Sequence, residues 1–569
     1  MVTRRRRRRL HLERLEPREL LAGNVTADVV DGRLVVMGDN LDNDIVISQT
    51  GLAAGEFRIA SGTDATTING GPGPLERTDV TGGVFVKLRG GNDTVKIVDS
   101  RINGDLQVEN GRGDNKLTIE TQSRIEGNVL VENSEGFDEF GLIASTVVGD
   151  VQLVNGGGGS YTHSLASRAE GDIAISNGHG EDRCFLLELN VLGSVTLNNR
   201  SDGSYVDLLE CAFGGSISVT NGAGFDTFIL EDAQVEGPVS VRTDGGGSFV
   251  KILLGGEVTE RAQLASTLAI NCGDGADEIL LRKVEVAGFT TISTGAGDDL
   301  VTLSDSIFHD NIRVLAGSDH DTVTIAKTIV QGDLAVYGSN GDNDVSIEDD
   351  SRIEGNVTLS NGKGFDTFGM TCSTIAGNLI VSNGIGGSDS RFLAGRVDGS
   401  VTIKNSDGRD EVRMIEMNIT GSLSLASGNG DTFTDILECF IGDKIISSNG
   451  LGYDELILED ILVGGDVIVR TRDGGSSVKV LLGGEDYERA QLGGTLDIRT
   501  GDGQDEVFVR KTEVQGPTRI RMLGEDDLLT LIDSIFHDYV LLDGGLGTNT
   551  LIDGGNNVFD KRLTVRSFV

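Results

Sequence analysis

Aspartate residues recur in glycine-rich segments of the chain, and in two places they are dense enough to bind a metal ion. The members of these two clusters are Asp274, Asp277, Asp298, Asp299, Asp319 and Asp321, and then Asp502, Asp505, Asp526 and Asp527. Hard carboxylate oxygens on adjacent loops suit Ca²⁺, which would also neutralise their mutual repulsion. The clusters therefore predict calcium sites, and the alternative interpretation is an acidic edge that is simply solvated and screened.

Three histidines are the other candidates for acid–base chemistry. His179 lies between two glycines, and His309 and His537 occupy identical Ser-Ile-Phe-His-Asp strings. Nothing in the spacing supports a Ser-His-Asp or Cys-His arrangement. We interpret His179 as an incidental residue of a turn and His309 and His537 as structural, and we predict no catalytic residue.

Two short expansions, 255–264 and 483–492, interrupt an otherwise regular pattern. Loops that project from a rigid scaffold are natural binding positions, so we predict that these segments contact a partner. The alternative is an insert held only by its own Glu–Arg pairing. The charged residues that both expansions retain are Glu257 and Glu485, Glu260 and Glu488, and Arg261 and Arg489.

The element that must position all of these residues is a short repeating unit, usually about 22 residues long. The segment 215–236 (GSISVTNGAGFDTFILEDAQVE) is an example. Counting its first Gly as zero, apolar residues occupy positions 2, 4, 13, 15 and 20, which is β-strand alternation interrupted by a turn. One unit cannot bury its apolar face, but stacked units can. We therefore predict an all-β fold, a parallel β-helix or β-solenoid of about 21 coils, with Leu142, Leu186, Leu208 and Leu230 in one interior column.

Position 11 of the unit is always Asp, Asn, Ser or Thr. From Asp138 to Asp277 it alternates between Asp and Ser, which separates the negative charges of successive coils. All four residue types hydrogen-bond backbone amides in turns. This uniformity predicts a turn at the same corner of every coil.

A longer tandem duplication lies over the short repeat. The string SRIEGN begins at position 123 and again at position 351, and other strings recur at the same offset. We accordingly predict five regions: a basic N-terminal sorting segment (1–23), an N-terminal cap (24–81), a first solenoid copy (82–309), a second copy (310–537), and a terminal coil with a C-terminal cap (538–569).

The formal net charge of −41 disfavours nucleic acid and anionic membranes as partners and favours cations, cationic proteins or neutral glycans. No apolar run approaches the roughly 20 residues of a membrane-spanning helix. The odd number of cysteines and their spacing predict buried thiols rather than a disulfide framework. These cysteines are Cys184, Cys211, Cys272, Cys372 and Cys439.

The segment Leu15-Glu16-Pro17-Arg18-Glu19-Leu20-Leu21, preceded by six consecutive arginines, resembles the LEPR-XLL motif of large exported planctomycete proteins. This resemblance covers only that short segment and implies export or a surface location. The coils are similar to the pectate-lyase-like β-helix superfamily and to solenoid adhesins. Their NGxGFD turns resemble calcium-binding nonapeptide repeats, but they recur once per coil and not in the uninterrupted succession of those repeats.

Two functions remain open from the sequence. The uniformity of the coils favours a non-catalytic exported solenoid, used in adhesion, spacing or matrix assembly, whose partners are cell-surface or matrix proteins or glycans. The alternative is a carbohydrate-active β-helix enzyme, a lyase or hydrolase, that uses acidic side chains along one face.

Overall fold

The computed structural model describes residues 23–62, 66–200, 202–255, 261–483 and 489–569. These residues form β-strands and turns, and they contain no helix that could span a membrane. The chain divides into two compact units, Met1–Gly149 and Asp150–Val569. The prediction of a parallel β-solenoid with about 21 coils of about 22 residues is confirmed.

Each coil contains three strands separated by a turn and a bend. In the coil 215–236 they are Ile217–Thr220, Asp226–Glu231 and Gln234–Val235. Each pairs in parallel with the same strand of the next coil, as Ile217–Thr220 does with Val239–Arg242. Because the pairing keeps this register, equivalent side chains of successive coils lie directly beside one another.

The strands fall into three classes by their place in the coil. The first strands are Asn24–Val30, Arg33–Met37, Thr67–Ile68, Val84–Lys87, Leu106–Glu109, Val129–Glu132, Val151–Val154, Ile173–Ser176, Val195–Asn198, Ile217–Thr220, Val239–Arg242, Leu268–Asn271, Thr290–Ser293, Ile312–Gly317, Leu334–Gly338, Val357–Ser360, Leu379–Ser382, Val401–Lys404, Leu423–Ala426, Ile445–Ser448, Val467–Arg470, Leu496–Asp502, Thr518–Leu523, Val540–Asp543 and Leu563–Arg566. The second strands, with two that continue into the third, are Asp44–Ser48, Thr94–Val98, Asn115–Glu120, Asp138–Ile143, Ser160–Ala169, Asp182–Val191, Ser204–Leu209, Asp226–Glu231, Ser248–Leu253, Asp277–Arg282, Leu300–Ser304, Thr322–Ala326, Asp344–Glu348, Asp366–Thr371, Ser388–Leu393, Asp410–Ile415, Thr432–Leu437, Asp454–Glu459, Ser476–Leu481, Asp505–Arg510, Leu528–Ile532 and Thr550–Asp553. The third strands are Arg101–Ile102, Arg124–Ile125, Thr146–Val147, Ala212–Phe213, Gln234–Val235, Ala262–Leu264, Val284–Val286, Ile307–Phe308, Ile329–Val330, Arg352–Ile353, Thr374–Ile375, Arg396–Val397, Asn418–Ile419, Phe440–Ile441, Leu462–Val463, Ala490–Leu492, Thr512–Val514, Ile535–Phe536 and Val558–Phe559.

The predicted apolar positions form the interior of the solenoid. In the coil 215–236 they are Ile217, Val219, Phe228, Leu230 and Val235, and each is at most 1% exposed. Three members of the predicted leucine column, Leu186, Leu208 and Leu230, stack in the second unit.

Within the second unit, Leu208 is paired in register with Leu186 on one side and Leu230 on the other. All three are buried, and so is Leu142 at the same position of its coil in the first unit. Successive leucines therefore stack as a continuous apolar ladder.

The turn between the first and second strands depends on glycine at a close approach of two coils. Gly364 has a φ of 142°, and a Cβ there would lie 2.0 Å from the carbonyl oxygen of Gly341. No side chain fits at that distance, which explains why glycine recurs in the predicted NGxGxD turn.

The bend between the second and third strands usually has one residue in the left-handed region, and two bends have a consecutive pair, Thr121 with Gln122 and Asp349 with Asp350. Most coils use a residue other than glycine, as at Glu210 (φ 54°), Asp232 (φ 52°) and Lys327 (φ 51°). This conformation costs an L-residue about 1 kcal/mol or more, which the packing of both flanking strands must offset.

The prediction that every cysteine is buried is wrong for Cys372, which is exposed while the other four are buried. Cys372 occupies the left-handed bend (φ 48°), as Ala144 does in the equivalent coil of the predicted first copy (φ 46°). The residue at this bend points away from the core, so its side chain reaches solvent.

In the first unit, the segment predicted as a cap combines both kinds of strand pairing. Arg33–Met37 pairs in parallel with the first complete coil, and it is joined to the antiparallel strand Asn24–Val30 by a tight turn at Asp31 and Gly32. Phe57–Ser61 pairs antiparallel with Asp44–Ser48, and Leu75–Arg77 pairs antiparallel with Phe57–Ser61. Antiparallel strands thus cover the edge of the parallel array. The predicted sorting segment lies, except for Gly23, outside the described residues, and the predicted domain boundaries stay predictions.

Candidate functional site

The position-11 residues form a hydrogen-bonded ladder inside the coils. Where Ser and Asp alternate, each serine hydroxyl donates to the aspartate of the next coil, as Ser204 Oγ does to Asp226 Oδ1 (2.8 Å) and Ser248 Oγ to Asp277 Oδ1 (2.7 Å). These aspartates are buried. Alternation thus matches a donor to each acceptor, in addition to separating the charges.

Where one aspartate follows another, the residue of the preceding coil donates a backbone N–H in place of a hydroxyl. The backbone N–H of Asp277 donates to Asp299 Oδ1 (2.8 Å), and that of Asp299 to Asp321 Oδ1 (3.2 Å). The Oδ2 atoms of all three are buried and accept no hydrogen bond from the described residues. Burial raises the pKa of Asp321 to about 8, assisted by the negative charges of Asp299, Asp298 and Asp319.

The equivalent pair later in the chain, Asp505 and Asp527, forms the same kind of hydrogen bond. The backbone N–H of Asp505 donates to Asp527 Oδ1 at 3.1 Å. Burial raises the pKa of both carboxyls, that of Asp527 to about 7. Both are buried carboxyls of the ladder, and at mildly acidic pH the protonated form of Asp527 is favoured.

The structure does not bring the ten calcium candidates together as one set of ligands. Asp277, Asp299, Asp321, Asp505 and Asp527 face the interior. The other five are exposed: Asp274, Asp298, Asp319, Asp502 and Asp526. Among the residues that the structure describes, no group of three or more His, Cys, Asp or Glu side chains is placed to hold a metal ion. Calcium binding stays a prediction.

His309 and His537 link neighbouring coils on the outer surface. The Nε2 atom of His309 lies 2.7 Å from Glu285 Oε1, and that of His537 lies 2.9 Å from Glu513 Oε1. These hydrogen bonds raise the pKa of both imidazoles. Both imidazoles are therefore hydrogen-bonded to a glutamate at the surface, and their structural role stays a prediction.

The two expansions are tied to the solenoid body by their arginines. Arg261 Nη2 lies 3.4 Å from Asp305 Oδ1, and Arg489 Nη2 lies 3.0 Å from Asp533 Oδ1, in each case 44 residues along the chain. Arg489 also donates to the backbone carbonyl of Asp533. The other candidates in these loops, Glu257, Glu260, Glu485 and Glu488, lie outside the described residues. Partner binding by the loops stays a prediction, but their arginines already have partners within the chain.

Replacing Arg489 with Ala should lower the stability of the protein by about 1–3 kcal/mol, because charge-assisted hydrogen bonds to a half-buried carboxylate are lost. The melting temperature followed by circular dichroism measures this effect, and the exposed Arg472→Ala is the matched control. An unchanged melting temperature for Arg489→Ala would show that the Arg489–Asp533 contact contributes little to stability and would favour a role in partner binding.

The outer face of the second unit carries an aromatic column. The rings of Tyr161 and His163 are stacked with centroids 4.9 Å apart, and Tyr161 meets Phe185 edge to face at 5.8 Å. Phe185 is stacked on Tyr205 at 5.1 Å. The rings come from outward positions 12 and 14 of three successive coils. The in-register pairing of these coils brings the rings together.

The column ends at Thr227, whose small side chain leaves an open groove of about 680 Å³ beside Tyr205. Its lining includes Glu181, Arg183, Phe185, Asp202, Tyr205, Phe225 and Thr227. We call this the aromatic groove. A second depression of about 390 Å³ adjoins it and also uses Phe225, which is 61% exposed. Volumes of this size suit small ligands or single side chains.

Charge and aromatic surface alternate in the groove. Arg183 is paired with Glu181 at 3.4 Å, and Asp202 is exposed at the rim. The Tyr205 hydroxyl donates to Asp207 Oδ2 at 3.4 Å. Burial raises the pKa of Asp207 and of Tyr205, and the adjacent Asp207 carboxylate raises that of Tyr205 further. The groove therefore offers aromatic rings beside carboxylates.

The corresponding face of the predicted second copy, called the second copy below, carries ion pairs. At the offset that relates the copies, Tyr161, His163 and Phe185 correspond to Asp389, Arg391 and Arg413. Arg391 pairs with Asp389 at 2.6 Å, and Arg413 pairs with Glu411 at 2.5 Å.

The Arg413 guanidinium carbon also lies 5.5 Å from the ring centroid of Phe433, the equivalent of Tyr205. Thr227 is replaced by Glu455, which is paired with Lys479 at 2.6 Å. The second copy thus places charged side chains at the positions where the first copy has Phe185 and Thr227.

Sequence reasoning missed the aromatic groove. Outward positions follow no periodic rule, and Tyr161 and Phe185 occupy different positions of their units. One signal was available: aligning the copies shows aromatic residues replaced by charged ones at these positions while the apolar columns persist. The chain matches no protein-family model, no curated protein and no solved structure.

Proposed function

We propose that this protein is an exported, non-catalytic solenoid that serves as a structural scaffold and presents the aromatic groove to a partner at the cell surface or in the matrix. The scaffold role is supported by the apolar columns and the position-11 ladder, which make each coil dependent on its neighbours. Export is supported by the resemblance of residues 15–21 to the LEPR-XLL motif.

The observation that carries the binding role is the contrast between the two copies. Their interior positions are alike, since Val206 and Thr434, or Leu208 and Ile436, are buried at equivalent places. Their outer faces differ in kind, because one is an aromatic groove and the other carries ion pairs, with a smaller depression of about 320 Å³ beside Asp389 and Arg391. A surface that differs between the copies while the supporting core is retained indicates that the surface has a function of its own.

A carbohydrate-active enzyme is the second candidate, and the specific observation in its favour is the pair of carboxylates, Glu181 and Asp202, lining one groove. Glycoside cleavage uses two carboxyl groups flanking the scissile bond.

The test is incubation of the purified chain with a panel of polysaccharides, with released reducing ends and unsaturated products measured. We expect no turnover. Turnover that Glu181→Gln or Asp202→Asn abolishes would replace the scaffold proposal with the enzyme. Fractionation of the producing cells tests location, and recovery of the chain only in the cytosol would contradict export.

A further inference from the structure

Outward aromatic rings on this protein repeatedly lie beneath a cationic side chain of a nearby coil. The pairs, with distances to the ring centroid, are Arg33 over Phe85 (4.9 Å), Arg313 over Tyr337 (5.2 Å), Arg413 over Phe433 (5.5 Å) and Lys561 over Tyr539 (5.2 Å). A cation over an aromatic face is attracted by the negative potential of the ring. Cation–π contacts are thus a recurrent way of covering rings on this surface.

The aromatic groove has the rings without the cation. In the described part of the chain, no Lys or Arg lies over Phe185, Tyr205 or Phe225. Arg183, the basic residue of the lining, is paired with Glu181. Tyr205 is stacked on Phe185 on one side, and its neighbour on the other side is Thr227, which lines the open space.

The second copy shows which side chains surround the equivalent ring, Phe433. Around Phe433 the chain supplies a guanidinium from Arg413 and a Glu455–Lys479 pair. In the first copy the equivalents of Arg413 and Glu455 are Phe185 and Thr227. The first copy therefore retains the ring, and has Lys251 at the place of Lys479, but lacks equivalents of Arg413 and Glu455.

We propose that the aromatic groove binds an arginine side chain of a cationic protein partner. The guanidinium would lie among Phe185, Tyr205 and Phe225, with the Asp202 carboxylate at the rim as its counter-charge. This inference rests on the proposed binding function and names the chemistry of its partner. Charge complementarity favours it, because the chain carries a net charge of −41 and attracts cationic proteins over long range.

The experiment is calorimetric titration of the full chain with an end-capped Ala-Arg-Ala-Arg-Ala peptide and with its citrulline counterpart, which has the same shape but no charge. A salt concentration of about 0.15 M screens distant charges, with a Debye length of about 8 Å. We expect saturable binding of the arginine peptide and binding of the citrulline peptide at least about tenfold weaker.

Substitutions of the aromatic residues distinguish binding in the groove from binding to the acidic surface of the chain in general. Phe225→Ala should weaken binding of the arginine peptide about tenfold. The matched control is Tyr453→Ala, which removes the equivalent ring of the second copy and should leave binding unchanged. Phe185→Arg, which introduces the residue found in the second copy, should also weaken binding, and melting curves verify that each variant is folded.

Equal effects of Phe225→Ala and Tyr453→Ala, or no effect of either, would assign binding to diffuse charge and overturn the inference. Equal affinity for the citrulline peptide would overturn it as well. Binding of cellohexaose or chitohexaose that depends on Phe225, without binding of the arginine peptide, would replace the arginine with a glycan. That result would leave the proposed binding function standing, whereas enzymatic turnover or a cytosolic location would overturn the function itself.

Discussion

Replacing Leu208 with Asp should destabilise the solenoid by about 4 kcal/mol or more. Leu208 is fully buried between Leu186 and Leu230, so the substitution removes apolar contacts on both sides and places a carboxyl group in the core. Either the charge is desolvated without a partner or the group is protonated at a cost. In a stack of coils the damage should concentrate on the substituted coil and its neighbours.

Hydrogen exchange measured by mass spectrometry should show faster exchange in the strands around residues 186, 208 and 230, together with a lower melting temperature. The control is Thr227→Glu, because Thr227 points outward and the second copy has Glu455 at the equivalent position. A Leu208→Asp protein as stable as the Thr227→Glu protein would contradict the interior assignment of this column.

Stability should fall as the pH is raised from about 4 to about 8, the reverse of the usual behaviour of a paired carboxylate. Burial raises the pKa of the ladder carboxyls, to about 6 at Asp226 and Asp277, about 7 at Asp527 and about 8 at Asp321. A carboxyl whose pKa is higher in the folded state stabilises that state fully below its unfolded pKa of about 4. This contribution is lost as the pH rises through the folded-state pKa.

The melting temperature should therefore be several degrees higher at pH 5 than at pH 8. Asp321→Asn should reduce this difference and raise stability at pH 8, by an amount on the order of 3 kcal/mol, because an amide fits the ladder without a charge. Asparagine already occupies the same ladder position at Asn115 and Asn343, where each amide donates to the carbonyl oxygen two residues earlier. The exposed Asp274→Asn serves as the control, and a melting temperature independent of pH would contradict neutral carboxyls in the ladder.

The core of the fold could be predicted from the sequence because every coil repeats the same constraint. Phe228 and Leu230 are buried because they alternate with outward residues on a strand that is paired on both sides. The ladder was predicted in part. Asp226 does accept a hydrogen bond in the turn region, but the donor is the hydroxyl of Ser204 in the adjacent coil.

Other features escaped prediction because residue type alone does not encode them. The left-handed bend accepts Glu210, Lys327 and Cys372 alike, so no pattern marks it. The antiparallel strands of the first unit follow no repeat. The aromatic groove arises from stacking between coils, and it needs the register of Phe185 against Tyr205 before it can be recognised.

The stacking register on which the groove depends can be measured by disulfide cross-linking. Tyr205 and Thr227 are paired residues of adjacent parallel strands, about 4.8 Å apart, within reach of a disulfide. In a Cys372→Ala background, Tyr205→Cys combined with Thr227→Cys should form a disulfide on mild oxidation, detected by peptide mass mapping. Tyr205→Cys combined with Ile229→Cys, two residues out of register, should remain reduced. Cross-linking of the second pair in preference to the first would contradict the register and the groove built on it.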